Sequence, residues 1–561
     1  RTKLLQQVGA KMNYVLSQDT SELRGKADTL QKLNEEIHRH GKQAMIDKVA
    51  YTWFNRLVAL RFMDVNGYQP IGLSVVSPAT PDHVSPQILT EAHSGNIPGE
   101  LKVNKTLLFD ILDGRQPSNN PDNEVYRMLL VAACNHLSHL FPFLFERIED
   151  YTELLLPDDL TSPFSIVNDV VTGMAEEDCR EVEIIGWLYQ FYISEKNEQL
   201  IQSKNTYKKD ELAPASQLFT PKWIVRYMVD NTLGQFWSEC YPQTKILSEL
   251  EFYIKPAYID QLKKREANIE EVKFFDPCTG SGHILSYAFD VFYRIYEELG
   301  YEPSRIPELI ITKNLWGVDI DQRASQLASF VLLMKGRQRY RRFFKKIEAN
   351  SVVPNIYFYQ DFESDSKFEN AEALGSLINI GPDEYNQIQI EENTLFSEKQ
   401  SELKALYRLL GQRYELVVTN PPYINSSRME PSVKEFVDKI SQGELMIPEQ
   451  KEDTGKGEIS VDVNMEIEES DQKSIDGGNS PWKLDPAYVT QVFVSLLIMP
   501  DGIEGDYPIA YEDIIIEENS GVDAVAVIHN EKSPAGQVYL KKLVRKDTTG
   551  IWTVVGYDKA K

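Results

Sequence analysis

A glycine-rich segment near the middle of this 561-residue chain has the residue types of a ligand-binding loop. Residues 276–283 read DPCTGSGH and lie between the strand-like run 272–275 and a helix-like stretch that starts at Ile284. A turn of this kind lets the backbone approach a ligand closely, because Gly280 and Gly282 lack the Cβ that would block it. The sequence therefore predicts a ligand cradle between a strand and a helix.

An acidic residue ends the next strand-like run along the chain. Residues 315–318 read LWGV and are followed by Asp319. An acid at the end of the second strand can accept hydrogen bonds from both hydroxyls of a ribose, and the usual spacing from the glycine loop is about twenty residues. The spacing here is longer, which predicts an insertion or a longer helix. The pattern fits a ribose-bearing cofactor and leaves nicotinamide dinucleotides and S-adenosylmethionine both open.

A third strand candidate, residues 356–359, leads into Asp361 and Phe362. The Asp361 carboxylate could accept a hydrogen bond from the amino group of the cofactor's adenine, with the ring of Phe362 packed on the base. An ordinary exit from a strand into a loop explains the same two residues equally well.

The segment Asn-Pro-Pro-Tyr, residues 420–423, follows the apolar run 416–418. The Asn420 side-chain oxygen and the Pro421 carbonyl can accept the hydrogens of an exocyclic amino group and draw its nitrogen toward tetrahedral geometry. Tyr423 can stack on a base that has left the helix, which contributes ~1–3 kcal/mol. Positioning then supplies much of the rate, so neither a metal nor a strong base is required.

This clamp favours S-adenosylmethionine as the cofactor, because a sulfonium methyl is what such a nitrogen attacks in line. A base inside a duplex cannot reach the clamp, so the mechanism requires the base to be flipped out. The alternative is a plain turn after a strand, since Asn and Pro are turn residues. The glycine loop and Asp319 earlier in the chain favour the clamp.

The motifs taken in order resemble the amino-directed adenine DNA methyltransferases. They are QLFTP at 217–221, the glycine loop, Asp319 and Asn-Pro-Pro-Tyr. The run FTPKWIV at 219–225 and the helical stretch YTWFNRLVALRFM at 51–63 more specifically resemble the PglX methyltransferase of BREX phage-defence systems. The resemblance extends over roughly residues 1–440 and fades after residues 431–438.

The resemblance implies methylation of adenine at its amino group in a non-palindromic site, which marks host DNA as self. The implied partners are S-adenosylmethionine and double-stranded DNA with a flipped adenine, with other defence-system proteins as candidates. The resemblance implies that Phe219, Thr220 and Pro221 contact the methionine end of the cofactor, that Gly280 and Gly282 form its floor and that Asp319 holds the ribose. The residue pattern adds Asp276, Asp361 and Phe362 as candidate cofactor-binding residues. The implied catalytic residues are Asn420, Pro421 and Tyr423.

The predicted fold class is α/β, with an incomplete Rossmann-like methyltransferase core between other domains. We expect a helical domain over 1–210, the core over 211–440, an acidic linker over 441–481 and a small α+β module of unknown function over 482–561. About four strands can be placed between residues 270 and 425, fewer than a sheet of this family needs. Because an open parallel sheet expects partners on its faces and edges, we expect a weakened or truncated catalytic domain.

Composition predicts a soluble, cytoplasmic protein. No run of about eighteen apolar residues occurs, so no membrane span is expected. The four cysteines include no CxxC pair, which predicts neither a metal site nor a disulfide framework. Within the glycine loop, Cys278 is best explained as a small buried residue, and His283 as a residue that starts the helix rather than a catalyst.

The net charge of −26 argues against indiscriminate DNA binding, because contacts to phosphates need local positive charge. One basic cluster, residues 335–346, could lie along a phosphate backbone. A solvated helix face with an aromatic stripe in the core is the alternative, and the sequence favours it. The candidate DNA-binding residues in this cluster are Arg337, Arg339, Arg341 and Arg342.

Three functions remain open from the sequence. The first is an adenine-specific DNA methyltransferase that uses S-adenosylmethionine. The second is a truncated, non-catalytic remnant that binds a cofactor or a partner. The third is a protein-glutamine methyltransferase, because Asn-Pro-Pro-Tyr also serves side-chain amides. The leading helical region and the Phe219–Pro221 signature favour DNA over a protein substrate.

Overall fold

The computed structural model divides into two compact units, residues 1–439 and residues 440–561, and each is described by itself. The structure describes the chain outside residues 81–82, 147–150, 204, 217–219, 256–265, 350, 363–364, 382–383, 385–397, 425, 442–458, 462, 464, 477–480, 500–502, 504–506, 548 and 561.

The first part of the first unit is helical and is organised around one long buried helix. The helices are α1 (Thr2–Ser17), α2 (Ser21–Arg24), α3 (Ala27–His40), α4 (Lys42–Val65), α5 (Gln87–His93), α6 (Lys105–Leu112), α7 (Pro121–Leu137), α8 (Tyr151–Leu154), α9 (Ile166–Gly173), α10 (Ile184–Ser203) and α11 (Lys209–Ser216). Helices α1, α3 and α9 pack against α4.

Helix α4 buries charged side chains as well as apolar ones, and the charges of Arg61 and Asp64 are paired with backbone groups and with neighbouring polar side chains. Arg61 donates to the carbonyl of Met174 at 3.0 Å and to Ser77 Oγ at 2.8 Å. The Asp64 carboxylate accepts from the backbone N–H groups of residues 75–77. Because buried charges without partners are costly, these bonds explain how a helix that contains charged residues can form the centre of the helical part.

The second part of the first unit is built on a parallel sheet. Its strands are β1 (Phe274–Asp276), β2 (Leu315–Asp319), β3 (Asn355–Phe358) and β4 (Leu416–Val417). Its helices are α12 (Lys222–Val229), α13 (Gln235–Cys240), α14 (His283–Glu298), α15 (Ile306–Leu309), α16 (Gln322–Arg339), α17 (Phe343–Glu348), α18 (Ala371–Leu374), α19 (Glu398–Gly411) and α20 (Pro431–Ser441).

The strand order β3-β2-β1-β4 determines where a ligand can bind. The chain runs from β1 outward to β2 and β3, then returns to place β4 on the other side of β1. In an open α/β sheet, ligands bind beyond the carboxyl ends of the strands where the strand order reverses. The reversal here lies between β1 and β4, so the loops after these two strands should border the binding crevice.

Both faces of this sheet are covered in the described part of the chain. Successive residues of a strand point to opposite faces, and Phe274 packs in the large core with Phe292 of α14 while Phe275 stacks on Tyr414 at 4.4 Å. Helices α14 and α16 cover the first face, and side chains of α19 contribute to the core on the second face. At the β4 edge, Val417 is 57% exposed. The faces of the sheet are thus covered, whereas the sequence predicted that an incomplete sheet would lack elements packed against it.

The second unit contains an antiparallel sheet of order β5-β9-β8-β7-β6. Its elements are β5 (Ile459–Ser460), α21 (Met465–Asp476), α22 (Pro486–Ile498), β6 (Ile514–Asn519), β7 (Asp523–Ile528), β8 (Ala535–Lys541) and β9 (Thr553–Lys559). Helix α22 packs on the sheet around a core that includes Val494, Val538 and Leu540.

Part of the predicted acidic linker over 441–481 belongs instead to this second unit. Strand β5 pairs with β9, with Ile459 opposite Tyr557. In α21, Gln472 donates to the carbonyl of Thr549 at 3.0 Å and accepts from the N–H of Ile551 at 3.1 Å. These bonds to distant residues hold an acidic segment in place that composition alone assigns to a linker.

Among the described residues of both units, no helix has the length and apolarity needed to cross a bilayer.

Candidate active site

A cavity of about 390 Å³ lies at the carboxyl ends of β1, β2 and β4, where the strand order reverses. Its volume is within the range of about 300–1,000 Å³ for sites that hold small molecules. It is lined by the loop after β1, the end of β2, residues 373–377, the segment after β4, and parts of α10, α11 and α20. The fold thus brings the glycine loop and Asn420 together around one space.

The glycine loop needs both of its glycines for different reasons. Gly280 and Gly282 have φ values of +53° and +87°, the left-handed region that side chains disfavour. A Cβ on Gly282 would lie 3.0 Å from Cα of Ala328 on α16, whereas a Cβ on Gly280 would meet nothing within 4 Å. Gly282 therefore permits close packing on α16, and Gly280 leaves open space at the cavity.

Hydrogen bonds fix this loop to β2. The N–H of Thr279 donates to the Val318 carbonyl at 3.0 Å, and the N–H of Gly280 donates to Asp319 Oδ2 at 2.7 Å. Gly317 of β2 allows the approach, because a Cβ there would lie 2.4 Å from Thr279 Oγ1. Sequence reasoning missed Gly317, although a glycine inside an apolar strand is a known signal of close backbone approach.

Asp319 is buried and both of its carboxylate oxygens accept backbone hydrogen bonds. Oδ1 accepts from the N–H of Asp321 at 2.8 Å, and Oδ2 accepts from Gly280. Burial raises the pKa of Asp319 to about 6. A carboxylate offers about four lone-pair sites in all, so its two oxygens retain capacity for ligand hydroxyls that point into the cavity.

Asp276, at the end of β1, is fully buried and also lines the cavity. Its Oδ1 accepts from the N–H of Cys278 at 3.1 Å. Its Oδ2 makes no hydrogen bond of normal geometry in the described part of the chain, although the Thr419 hydroxyl interacts with the carboxyl group and opposes the rise of its pKa. Burial raises the pKa of Asp276 to about 7. Because a buried acceptor without a partner costs free energy, this oxygen is suited to a ligand that donates a hydrogen bond.

The Asn-Pro-Pro-Tyr segment is more open. Asn420 donates from Nδ2 to Thr220 Oγ1 at 3.0 Å, and both residues line the cavity together with Pro421. Tyr423 is 71% exposed and is not among the cavity-lining residues. Its ring is therefore accessible to a base that approaches from outside.

Helix α10 of the leading helical part forms one wall of the cavity. The wall consists of Gly186, Tyr189, Gln190 and Ile193. At Gly186 the helix approaches the glycine loop so closely that a Cβ would lie 2.3 Å from Nε2 of His283 and 2.5 Å from Oγ of Ser281.

Contacts on the side of α10 that faces away from the cavity hold Tyr189 in place. The hydroxyl of Tyr189 donates to the carboxylate of Asp321, which follows β2. The Tyr189 ring meets Tyr51 of α4 edge-on at 5.6 Å, and the Arg323 guanidinium lies 4.6 Å above the Tyr51 ring. Sequence reasoning missed these residues, and the glycine in an apolar helix is the signal that could have identified the approach.

The structure does not place Asp361 and Phe362 in the cavity. The Asp361 carboxylate accepts from the ammonium of Lys209 and from the N–H of Glu372 at 3.0 Å. Phe362 packs in the core on the second face of the sheet, 6.3 Å from Phe368. Residues 373–377 line the cavity after β3 instead. The geometry therefore agrees with the ordinary strand exit rather than with contacts to a cofactor.

The predicted segment 219–221 lies only partly near the site. Phe219 falls outside the described residues. Thr220 lines the cavity, whereas Pro221 is not among the lining residues and precedes the first turn of α12.

The basic cluster, residues 335–346, extends from the end of α16 into α17 and is largely engaged within the protein. Lys335 and Arg339 both pair with Asp290, at 2.5 and 3.1 Å. The Arg337 guanidinium lies 4.7 Å above the ring of Tyr68. The exposed basic residues of the cluster include Arg341, Arg342 and Lys345. With Phe343 and Phe344 buried, this geometry supports a helix face that packs through an aromatic stripe.

Neither Cys278 nor His283 has the ionisation behaviour of a catalyst. Burial raises the pKa of Cys278 to about 11, so its thiol remains protonated and weakly nucleophilic. Burial lowers the pKa of His283 to about 3, so its ring is neutral. Within the described residues, no group of three or more His, Cys, Asp or Glu side chains is arranged to hold a metal ion.

Comparison with known proteins identifies relatives of this chain. Residues 313–447 match the family described as Eco57I restriction-modification methylase. The adenine-specific methyltransferase BrxX of Escherichia coli O9:H4 (strain HS) is 34% identical over 479 residues, which cover 73% of this chain and 38% of that protein. The adenine-specific methyltransferase PglX of Lacticaseibacillus casei (strain Zhang) is 33% identical over 455 residues, 70% of this chain and 37% of that protein.

A third relative, the adenine-specific methyltransferase PglX of Streptomyces coelicolor (strain ATCC BAA-471 / A3(2) / M145), is 28% identical over 224 residues, which cover 38% of this chain and 17% of that protein. The chain thus spans less than two fifths of the length of each of these relatives. The predicted resemblance to the PglX methyltransferases is confirmed, and the parallel sheet with its helices agrees with the α/β methyltransferase-like fold.

Proposed function

From this homology to adenine-specific methyltransferases, we propose that the chain transfers a methyl group from S-adenosylmethionine to the exocyclic amino group of adenine in DNA. The observation that carries the proposal is the single cavity bordered by both the glycine loop and Asn420. A cofactor site and an amino-group clamp must share one space for a methyl group to pass between them. We further propose that this reaction marks host DNA in phage defence, in the cytoplasm.

The residues on the cofactor side fit S-adenosylmethionine, which supplies an activated methyl group when bound. The oxygens of Asp319 retain lone pairs for the two hydroxyls of a ribose. Asp276 Oδ2 is a buried oxygen that can accept a hydrogen bond from the cofactor. At Gly280 the absence of a side chain leaves open space at the cavity. Together they provide acceptors and room for a polar, positively charged ligand.

On the opposite side, Asn420 and Pro421 hold the adenine. The Asn420 Oδ1 and the Pro421 carbonyl accept the two hydrogens of the amino group, which directs its nitrogen lone pair toward the cofactor side. Tyr423 stacks on the exposed face of the flipped base, with ~1–3 kcal/mol of stabilisation. Once the nitrogen carries the methyl group it loses one proton, which can pass to water at the exposed residues 421–423. The ring of His283 is neutral and is assigned no part in this proton transfer.

The test is a pair of measurements on the wild-type chain, on Asn420→Ala and on Asn119→Ala, an exposed asparagine in a loop of the helical part. Calorimetric titration with S-adenosylmethionine should give similar affinities for all three. Incorporation of labelled methyl groups into DNA, with the other defence-system proteins added, should be lost only in Asn420→Ala. Equal methyl transfer by wild type and Asn420→Ala would refute the proposed mechanism.

A further inference from the structure

We infer that Thr220 is a positioning residue that fixes the orientation of the Asn420 side-chain amide, an inference that rests on the proposed function. The two residues are 200 positions apart in the sequence, and the Nδ2 of Asn420 donates to the Oγ1 of Thr220 at 3.0 Å. Both line the cavity. The resemblance assigns Thr220 to the cofactor, whereas this bond connects it to the base clamp.

The orientation of the amide decides whether Asn420 can act as a clamp. A half-turn about the Cβ–Cγ bond exchanges the acceptor Oδ1 and the donor Nδ2, which have nearly the same shape. An adenine amino group donates hydrogen bonds, so only Oδ1 can accept one from it. If Nδ2 stood in the same place, two hydrogen-bond donors would face each other. A hydroxyl can either accept from Nδ2 or donate to Oδ1. In the structure the Thr220 hydroxyl accepts from Nδ2, which is the arrangement that leaves Oδ1 available for the adenine amino group.

Thr220 is well placed to set this orientation because its own position is fixed. It is 9% exposed and directly precedes Pro221, which restricts its backbone to extended conformations. Helix α12 begins after Pro221, buries Val225 and Val229, and packs on α14, the helix that starts at the glycine loop. The hydroxyl is thus attached to the same framework that holds the cofactor side.

Adenosine binding tests the inference without relying on catalysis. Adenosine would be titrated in the presence of saturating S-adenosylhomocysteine, which keeps it out of the cofactor site. The variants are Thr220→Val, Thr220→Ser, Asn420→Ala and the double variant Thr220→Val/Asn420→Ala. Calorimetric titration of each with S-adenosylmethionine and its thermal midpoint report cofactor binding and folding separately.

We expect Thr220→Val to weaken adenosine binding by about three- to tenfold, the range for loss of one hydrogen bond. Thr220→Ser, which keeps the hydroxyl, should restore binding, and the double variant should be no weaker than Asn420→Ala alone. The affinity for S-adenosylmethionine should stay within about twofold of wild type. Thr220→Val should likewise lower kcat for DNA methylation more than it changes the KM for the cofactor, and Thr220→Ser should restore kcat.

Two results would overturn the inference while leaving the proposed function intact. In the first, Thr220→Val binds adenosine as wild type does. In the second, Thr220→Val loses S-adenosylmethionine affinity as much as adenosine affinity, which would make Thr220 a cofactor contact. If wild type itself binds S-adenosylhomocysteine but no adenosine, the proposed clamp is wrong, and the role of Thr220 falls with it.

Discussion

The two sides of the cavity differ in how firmly the fold holds them. On the cofactor side, the glycine loop is buried between β1, β2 and α16 and is bonded to Val318 and Asp319. On the base side, residues 421–423 are exposed, and the described side-chain bond of Asn420 is the one to Thr220. One side is built as part of the core and the other as a surface loop.

This difference between the two sides indicates where substitutions should affect folding and binding together. On the cofactor side the geometry is already present before a ligand arrives, so little ordering cost remains for binding. The same burial means that substitutions there should disturb folding as well as binding. On the base side, substitutions should change binding of the base while leaving stability nearly unaltered.

The largest expected effect is that of Asp319→Ala. The substitution removes the acceptors of two N–H groups and the ribose contacts together. We expect no detectable binding of S-adenosylmethionine by calorimetry. Stability should fall by about 1–3 kcal/mol for the unsatisfied N–H groups, measured by urea unfolding. Asp28→Ala, at an exposed position in α3, serves as the control. Undiminished cofactor binding in Asp319→Ala would mean that the cofactor side is placed wrongly.

Gly186→Ala should come next, because its Cβ would lie 2.3 Å from Nε2 of the buried His283. Overpacking of this kind costs about 1–3 kcal/mol. The shift of α10 away from the loop should also weaken S-adenosylmethionine binding by about tenfold or more. Gly173→Ala is the matched control, because a Cβ there meets nothing within 4 Å. If both variants behave alike in melting and in titration, the α10 wall has no part in the cofactor side.

Tyr423→Ala should affect the base side alone. Loss of stacking should weaken adenosine binding in the presence of S-adenosylhomocysteine by ~1–3 kcal/mol. The thermal midpoint should stay unchanged, because the ring is 71% exposed. Tyr423→Phe keeps the stacking surface and should behave as wild type. A drop in the midpoint would show that the base side is also part of the core.

The smallest effect is a dependence of cofactor binding on pH. Ligand donors need the carboxylates of Asp276 and Asp319, whose pKa values burial raises to about 7 and about 6. We expect calorimetry to show S-adenosylmethionine affinity falling by about tenfold between pH 8 and pH 6.

Stability of the free chain should change with pH in the opposite direction. Both carboxyls bind protons more tightly in the folded than in the unfolded state. Their contribution to stability is therefore fully present only below the unfolded pKa of 3.8, and it is lost progressively as pH rises through the folded values of about 6 and about 7. Asp276→Asn should flatten both profiles. Parallel rather than opposite trends in wild type would contradict this account.

How much of the site could be predicted depends on how local its chemistry is. The glycine loop and Asp319 are recognisable because each has a short pattern of its own, a glycine turn after a strand and an acid at a strand end. Asn420 is recognisable for the same reason. The structure brings all of these to one cavity.

What escaped prediction depends on contacts between distant residues. Asp361 follows a strand as a ligand-binding acid would, but Lys209 and the N–H of Glu372 occupy its carboxylate. Nothing near Gly186 in the sequence indicates that it faces His283. The acidic composition of residues 441–481 likewise gives no indication of the hydrogen bonds that Gln472 makes with residues 549 and 551.

The wall that α10 contributes bears on how this chain can be divided. The boundary expected near residue 210 would separate Gly186 and Tyr189 from the loop that they cover. A fragment that starts after that point would keep the glycine loop, Asp319 and the Asn-Pro-Pro-Tyr segment and yet leave its cofactor side open to solvent. Recombination that exchanged the leading helices between relatives would equally alter the surroundings of the cofactor. The two parts therefore form one cavity and should be expressed and engineered as one piece.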